Sequence, residues 1–288
     1  MFKKFAVNIN RFFYPLARNK AGFLGLTLIV SLALIAFVGP LLVQPETISH
    51  VDQINQPPSS AHPLGTDANG RENWIMFVHG GRDVLAVAFL AGLLTVLIAV
   101  TVGAASAFLG GPTDRFIMAL TDVWLTLPHF LLLVVIATII KLQDVVILSF
   151  CLAIIGWPGL ARQVRAQFLS LKKRDYIEAA RLLDLGMPHI IIREMLPNMM
   201  SYVLIAMISA MIGAIYTQTG LVFLGLVPFG NNWGVMFSMA YARNAMYNPN
   251  SIASLLAPMS GIVLFQLGLV LFSRMLEEVF NPRLRQGA

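Results

Sequence analysis

The chain predicts an all-α integral membrane protein with about six transmembrane helices and one long polar loop between the fourth and fifth. Three observations carry this. Hydrophobic residues make up 57% of the chain and charged residues only 12%, with a mean hydropathy of +0.75, whereas a soluble globular chain carries about 25% charge. Six segments are long and apolar enough to cross a hydrocarbon core about 30 Å thick, which takes roughly 20 helical residues. The basic residues sit at the ends of apolar runs and form no single patch interleaved with aromatics, so the net charge of +6 does not point to nucleic acid.

The first span, near 21–43, follows Lys3, Lys4, Arg11, Arg18 and Lys20. It is too long for a signal-peptide core and no small-x-small pattern follows Leu41-Leu42-Val43, so it reads as an uncleaved anchor. Before it, Phe2, Phe5, Ile9, Phe12, Phe13 and Leu16 recur at roughly helical spacing, which fits a helix lying on the membrane surface and equally a basic tail. A segment rich in Pro, Asn, Gly and Ser fills 44–83. The remaining spans fall near 84–109, 116–140, 144–161, 199–226 and 252–273, with a second loop-like segment at 227–251. Gly156-Trp157-Pro158-Gly159 makes the fourth span the weakest. The chain thus divides into residues 1–83, comprising tail, anchor and external loop, and a core of residues 84–288 carrying the loop at 162–198.

Orientation follows from Lys and Arg. With both termini inside, sixteen of the twenty fall on inner segments, and the four outer ones are Arg71, Arg82, Lys141 and Arg243. The positive-inside rule therefore places both termini and the long loop in the cytoplasm.

Several chemistries lack their residues. No G-x-x-x-x-G-K-[ST] phosphate loop occurs, so the chain is not expected to hydrolyse ATP itself. The five histidines have no metal-ligand spacing, and Cys151, the single cysteine, lies in an apolar run where packing is its expected role. Asp122 is the clearest intramembrane acid. It is the one feature that favours a self-sufficient secondary transporter, against packing or snorkelling of the same side chain. His129, after Pro128, reads as structural at a kink.

The polar loop is the most informative segment. Arg162 to Leu171 reads as a helix continuing out of span four. Asp175 is placed to cap a short helix from Tyr176 through Ile177, Glu178, Ala179, Ala180, Arg181, Leu182 and Leu183, and Leu196-Pro197 starts the turn into span five. The two alanines are strong helix formers and leave a narrow surface that a partner can approach. Composition alone also allows a plain connecting loop whose charges anchor the membrane interface.

At this loop the chain resembles the permease subunits of ABC importers, which carry E-A-A, three residues, G, nine residues, I-x-L-P. Glu178, Ala179, Ala180, Leu196 and Pro197 match; Asp184 stands at the glycine, Glu194 at the apolar residue, and Gly186 lies two places late. The resemblance narrows to the C-type permeases of oligopeptide, dipeptide and nickel importers and covers nearly the whole chain. It includes Arg18-Asn19-Lys20-Ala21, His62-Pro63-Leu64-Gly65-Thr66-Asp67, Gly70-Arg71-Glu72, Gly110-Gly111, Asp114-Arg115, Arg174-Asp175-Tyr176, Phe223-Leu224-Gly225-Leu226, Trp233-Gly234 and Asn281-Pro282-Arg283. It departs at Glu72, at Asn73-Trp74-Ile75-Met76 and at Gln218-Thr219-Gly220-Leu221-Val222, where peptide-type members tend to have Glu-Ala-Ala-Leu-Ser.

The resemblance implies an importer permease of a bacterial or archaeal plasma membrane, coupled through Tyr176 to Asp184 to separate ATPase subunits. Its implied partners are a homologous second permease, two ATPases that bind ATP and Mg, an extracytoplasmic solute-binding protein and membrane lipid. No cofactor is expected in this chain. Di- or oligopeptides are the expected solutes, with oligosaccharides or a nickel chelate as the alternative within the family.

Overall fold

The structure is a computed structural model that describes residues 19–46, 48–227 and 230–280. The expectations for the N-terminal tail and for Asn281-Pro282-Arg283 lie outside the described residues. The described residues contain no β-strand, only the isolated bridge between Thr66 and Glu72. Among the described residues, five helices are long and apolar enough to cross a membrane, or six spans if one bent pair counts as a span. The all-α membrane architecture is as the sequence predicts.

Helix α1 (Lys20–Phe37) starts where the Asn19 side chain accepts from Gly22 N, and α2 (Gly39–Leu42) extends the same span after a break at Val38. Helix α3 (Asn73–Leu109) begins well before the expected position 84. Its early polar residues find partners that stabilise the added turns. Asn73 Nδ2 donates to Leu64 O at 2.9 Å and Ser254 Oγ at 3.0 Å, and His79 Nε2 donates to Val43 O at 2.9 Å.

The expected span 116–140 is two helices, α4 (Gly111–Thr126) and α5 (His129–Ile139), bent by 80°. Pro128 forces the residue before it out of the helical region, and Leu127 is extended at ψ 136. By contrast, α6 (Val145–Leu171) runs unbroken through Pro158, so Gly156-Trp157-Pro158-Gly159 does not interrupt the fourth span. Within lipid an unwound stretch would leave several backbone groups unpaired, at greater cost than the one hydrogen bond that proline removes. Asp144 caps α6, accepting from Val146 N and Ile147 N.

A short helix α7 (Asp175–Leu182) and a run of single turns, 187–199, lead into α8 (Met200–Phe223). The segment 227–251, expected to be loop, contains the apolar helix α9 (Trp233–Ala242). Helix α10 (Ile252–Phe280) closes the described chain.

Packing gathers these elements into two compact units, one of the described residues up to 87 and from 215 onward, and the other of residues 88–214. In the first, α1 lies on α10 through small residues, as membrane helices do where backbones approach closely. A Cβ on Gly25 would sit 2.8 Å from Gly268 O and from Phe272 N. Gly25→Leu is therefore expected to release α1 from α10, lowering the detergent-solubilised unfolding temperature by several degrees, a loss of about 1–3 kcal/mol.

The same unit holds residues 43–72. Asp67 accepts from Arg71 Nε and Nη2 at 2.9 and 2.8 Å and from the backbone N–H groups of Asn69 and Arg71. His62 Nδ1 bonds Glu72 Oε1, and Glu72 N donates to Glu46 Oε2 at 2.7 Å. Gly70, at φ +74, leaves no room for a side chain, because a Cβ would lie 1.9 Å from His50 O. These bonds explain why His62 to Asp67 and Gly70 to Glu72 read as a pattern.

Candidate functional site: the α6–α7 loop

Helix α7 begins one residue earlier than expected. Arg174 occupies the capping position in an extended conformation, and Asp175 is the first helical residue, not the cap. Asp175 and Glu178 both fall in the first turn, where their charge opposes the positive end of the helix dipole.

The helix has two distinct faces. Ile177 is fully buried and Ala180 is 5% exposed, both in an apolar cluster with Ala104, Ala107, Val164, Phe168, Met195 and Met199. On the other side Tyr176 is 40%, Leu182 84% and Leu183 73% exposed, and Ala179 lies open beside them. The two alanines thus face opposite ways, and only Ala179 offers the narrow surface expected of both. Glu178 is exposed and makes no ion pair among the described residues, whereas Arg181 turns back over the Phe108 ring at 5.6 Å.

Asp184 ends the helix as glycine does in the family pattern. It adopts φ +51, with Asp184 N donating to Arg181 O at 2.9 Å and Leu185 N to Ala180 O at 3.2 Å. This pair of bonds is the Schellman arrangement, whose left-handed position usually takes glycine. Gly186 has φ −50 and plays no such part. Because a side chain in the left-handed region costs roughly 1 kcal/mol, Asp184→Gly should stabilise the loop by up to about 1 kcal/mol. Asp184→Val should destabilise it by more, and thermal unfolding of the pair checks the order.

Beyond the turn, Ile190–Met195 forms a π-helical turn and Leu196–Met199 a 3-10 turn. Asn198 Nδ2 donates to Glu194 O at 2.6 Å, and Met195 is fully buried. Glu194, at the apolar position of the pattern, faces His189 Nε2 at 3.9 Å.

The end of α6 that leads into α7 is tied to its neighbours by polar side chains. Arg165 Nε and Nη2 form a fork on the two oxygens of Asp114, which also accepts from Ser106 Oγ. Arg162 pairs with Asp122. Tyr202 OH donates to Gln163 Oε1 at 2.8 Å, and Lys172 Nζ donates to Ala107 O at 3.0 Å. Sequence reasoning named Asp122 but missed its partner. The only signal was a set of charges on two segments some 40 residues apart. The pairing with a guanidinium gives Asp122 a packing role of the kind the sequence allowed for it.

In the other unit, Gln218 is buried and its Nε2 donates to Val84 O at 2.9 Å, while Gln218 Oε1 and Thr219 Oγ1 are buried with no hydrogen-bond partner among the described residues. An amide keeps hydrogen bonding at this depth without the cost of an ionised carboxylate. The same unit contains a cavity of about 170 Å³ lined by residues that include Asn55, Asn73, Met76, Met236, Arg243 and Ser254. Its lining comes from three separate segments, which left no local signal to read.

The described residues thus combine helices long and apolar enough to cross a membrane with one short helix fastened by its inner face and open on its outer face, which defines a membrane protein with a surface free for contact. The chain belongs to the family of binding-protein-dependent transport system inner membrane components, which residues 99–286 match, and to its C-type oligopeptide permeases, whose N-terminal transmembrane domain residues 9–58 match. It is 32% identical to the dipeptide transport system permease protein of Bacillus subtilis over 225 residues, covering 77% of this chain and 70% of that one. It is 29% identical to the oligopeptide transport system permease protein of the same organism over 272 residues, covering 93% and 87%. A putative peptide permease protein of Brucella suis is 31% identical over 282 residues, covering 96% and 91%. The chain is accordingly a multi-pass membrane protein and an ABC importer permease subunit, a kind of protein that works with ATPase and solute-binding proteins.

Proposed function

We propose that this chain imports di- or oligopeptides as one of two homologous permeases above two ATPase subunits and below an extracytoplasmic binding protein. Both termini and the α6–α7 loop face the cytoplasm of a bacterial or archaeal cell, in keeping with the distribution of Lys and Arg. ATP and Mg reside in the ATPase subunits, and this chain carries no cofactor of its own. The relatives named as dipeptide, oligopeptide and peptide permeases support peptide over oligosaccharide or nickel chelate.

The observation that carries the coupling role is the exposed apolar face of α7, with Tyr176, Ala179, Leu182 and Leu183 open while Ile177 and Ala180 fasten the helix from behind. An apolar face on a firmly docked helix suits a groove in a partner and transmits displacement to whatever holds it. When ATP closes the ATPase dimer, α7 moves with its groove and the attached spans rotate to open outward. When hydrolysis releases the dimer, they return.

Gentle solubilisation followed by capture of the tagged chain tests the assembly. Two ATPase chains and one different permease are expected in the eluate. Recovery of the chain alone, or only with itself, would overturn the assembly, and peptide uptake that survives ATP depletion would overturn the energy source.

A further inference from the structure

Four side chains between positions 162 and 172, three on the last turns of α6 and one on the residue that caps it, each end on a different group. The Arg165 fork grips both oxygens of Asp114 on α4, and Asp114 in turn accepts from Ser106 of α3. Arg162 holds Asp122, farther along α4. Gln163 accepts from Tyr202 on α8. Lys172 donates to Ala107 O, a carbonyl in the last turn of α3 that has no partner within its own helix. Only Lys172, Lys173 and Arg174 separate α6 from α7, and Arg174 N donates back to Leu171 O at 3.0 Å, so the link is a tight turn.

We infer that this end of α6 is a strut that makes α7 and the adjoining ends of α3, α4 and α8 move as one body, with Asp114 and Asp122 as positioning residues for energy coupling. A bidentate Arg–carboxylate contact fixes rotation as well as distance, which a purely apolar contact between helices does not. The Arg165–Asp114 pair is largely shielded from solvent, so parting it would strand a poorly solvated charge at each end. All of these residues lie within the single compact unit 88–214. The inference rests on the proposed coupling role of α7 and says where displacement of that helix goes.

The test uses the complete complex in liposomes, with Cys151→Ser as background. Asp122→Cys and Arg162→Cys together remove the more exposed tie, and a short bifunctional methanethiosulfonate reagent then replaces it covalently. Before linking, alanyl-alanyl-alanine imported per ATP hydrolysed should fall at least threefold, while the ATPase subunits still co-purify. After linking, the ratio should return to within twofold of the Cys151→Ser parent, and reduction should lower it again. A ratio that stays unchanged on linking, or falls further, overturns the strut, because it means that α4 must move against α6 during the cycle. The coupling role itself is judged separately by Ala179→Asp on the outer face of α7: unaltered uptake in that variant sinks the role, whatever the linked pair shows.

Discussion

Ala179→Asp is expected to reduce ATP-dependent uptake by tenfold or more while the permease remains inserted, folded and extractable. Ala179 is exposed on the outer face of α7 and is not one of the buried residues of the apolar cluster beneath it, so a carboxylate there costs the isolated chain little. Seated in a partner's groove, the same carboxylate would be desolvated without a counter-charge, and each 1.4 kcal/mol lost from the contact is a factor of ten. Leu182→Asp and Leu183→Asp should behave alike. Glu178, exposed and unpaired, belongs to the rim, where truncation changes binding less, so Glu178→Ala should cost about threefold. Uptake and peptide-stimulated hydrolysis in the same liposomes, with elution volume as the check on folding, give the comparison. Wild-type uptake in a stable Ala179→Asp protein would remove α7 from the coupling path.

Ala180→Asp looks like the same experiment and is not. Ala180 is buried among Ile177, Phe168 and Met195, and a charge there has no partner within the cluster. Loss of folded protein is the expected result, and its lack of uptake would say nothing about coupling. The sequence placed both alanines in one surface because their identity shows no direction. The burial pattern separates them: Ile177 and Ala180, three residues apart, share the inner face, and Tyr176, Ala179 and Leu183 share the outer one.

How much of the molecule the sequence reveals depends on the range of the interaction. Apolar run length located the membrane helices, because the bilayer sets the minimum length of a span whatever the tertiary contacts add to it. The coupling loop was legible for a different reason: its helix, its turn and its re-entry all lie within 162–198. What escaped depended on distant partners. Helix α3 extends upstream to Asn73 because Leu64 O and Ser254 Oγ receive its side chain. The third span bends where Pro128 holds Leu127 extended, whereas Pro158, also a proline in an apolar run, leaves α6 intact. The departure at Asp184 was visible, yet its meaning was not: the residue takes the left-handed position itself instead of passing the turn to Gly186. Charge pairs such as Arg165 with Asp114 join residues 51 apart, and no spacing rule reaches that far.

Trp233→Ala is the substitution expected to damage the first unit most. Trp233 is fully buried, stacks on Phe77 with ring centroids 5.0 Å apart, and donates from Nε1 to Phe77 O at 2.8 Å. Its ring occupies space that three glycines leave open. A Cβ on Gly81 would lie 2.6 Å from Trp233 Cζ2, one on Gly261 3.0 Å from the same atom, and one on Gly80 3.1 Å from Trp233 Cδ1. The ring therefore holds the start of α9 between α3 and α10, and neither neighbour can close in without shifting a backbone that the other contacts. Removing it should cost about 3–5 kcal/mol. The result should be a much lower unfolding temperature and rapid proteolysis between α8 and α10. Trp233→Phe separates volume from hydrogen bonding: it keeps most of the stacking area and gives up the donor to a carbonyl that already lies within a helix, so a loss of only about 1 kcal/mol is expected. If the two variants unfolded at the same temperature, the hydrogen bond rather than the packed ring would be what fixes α9.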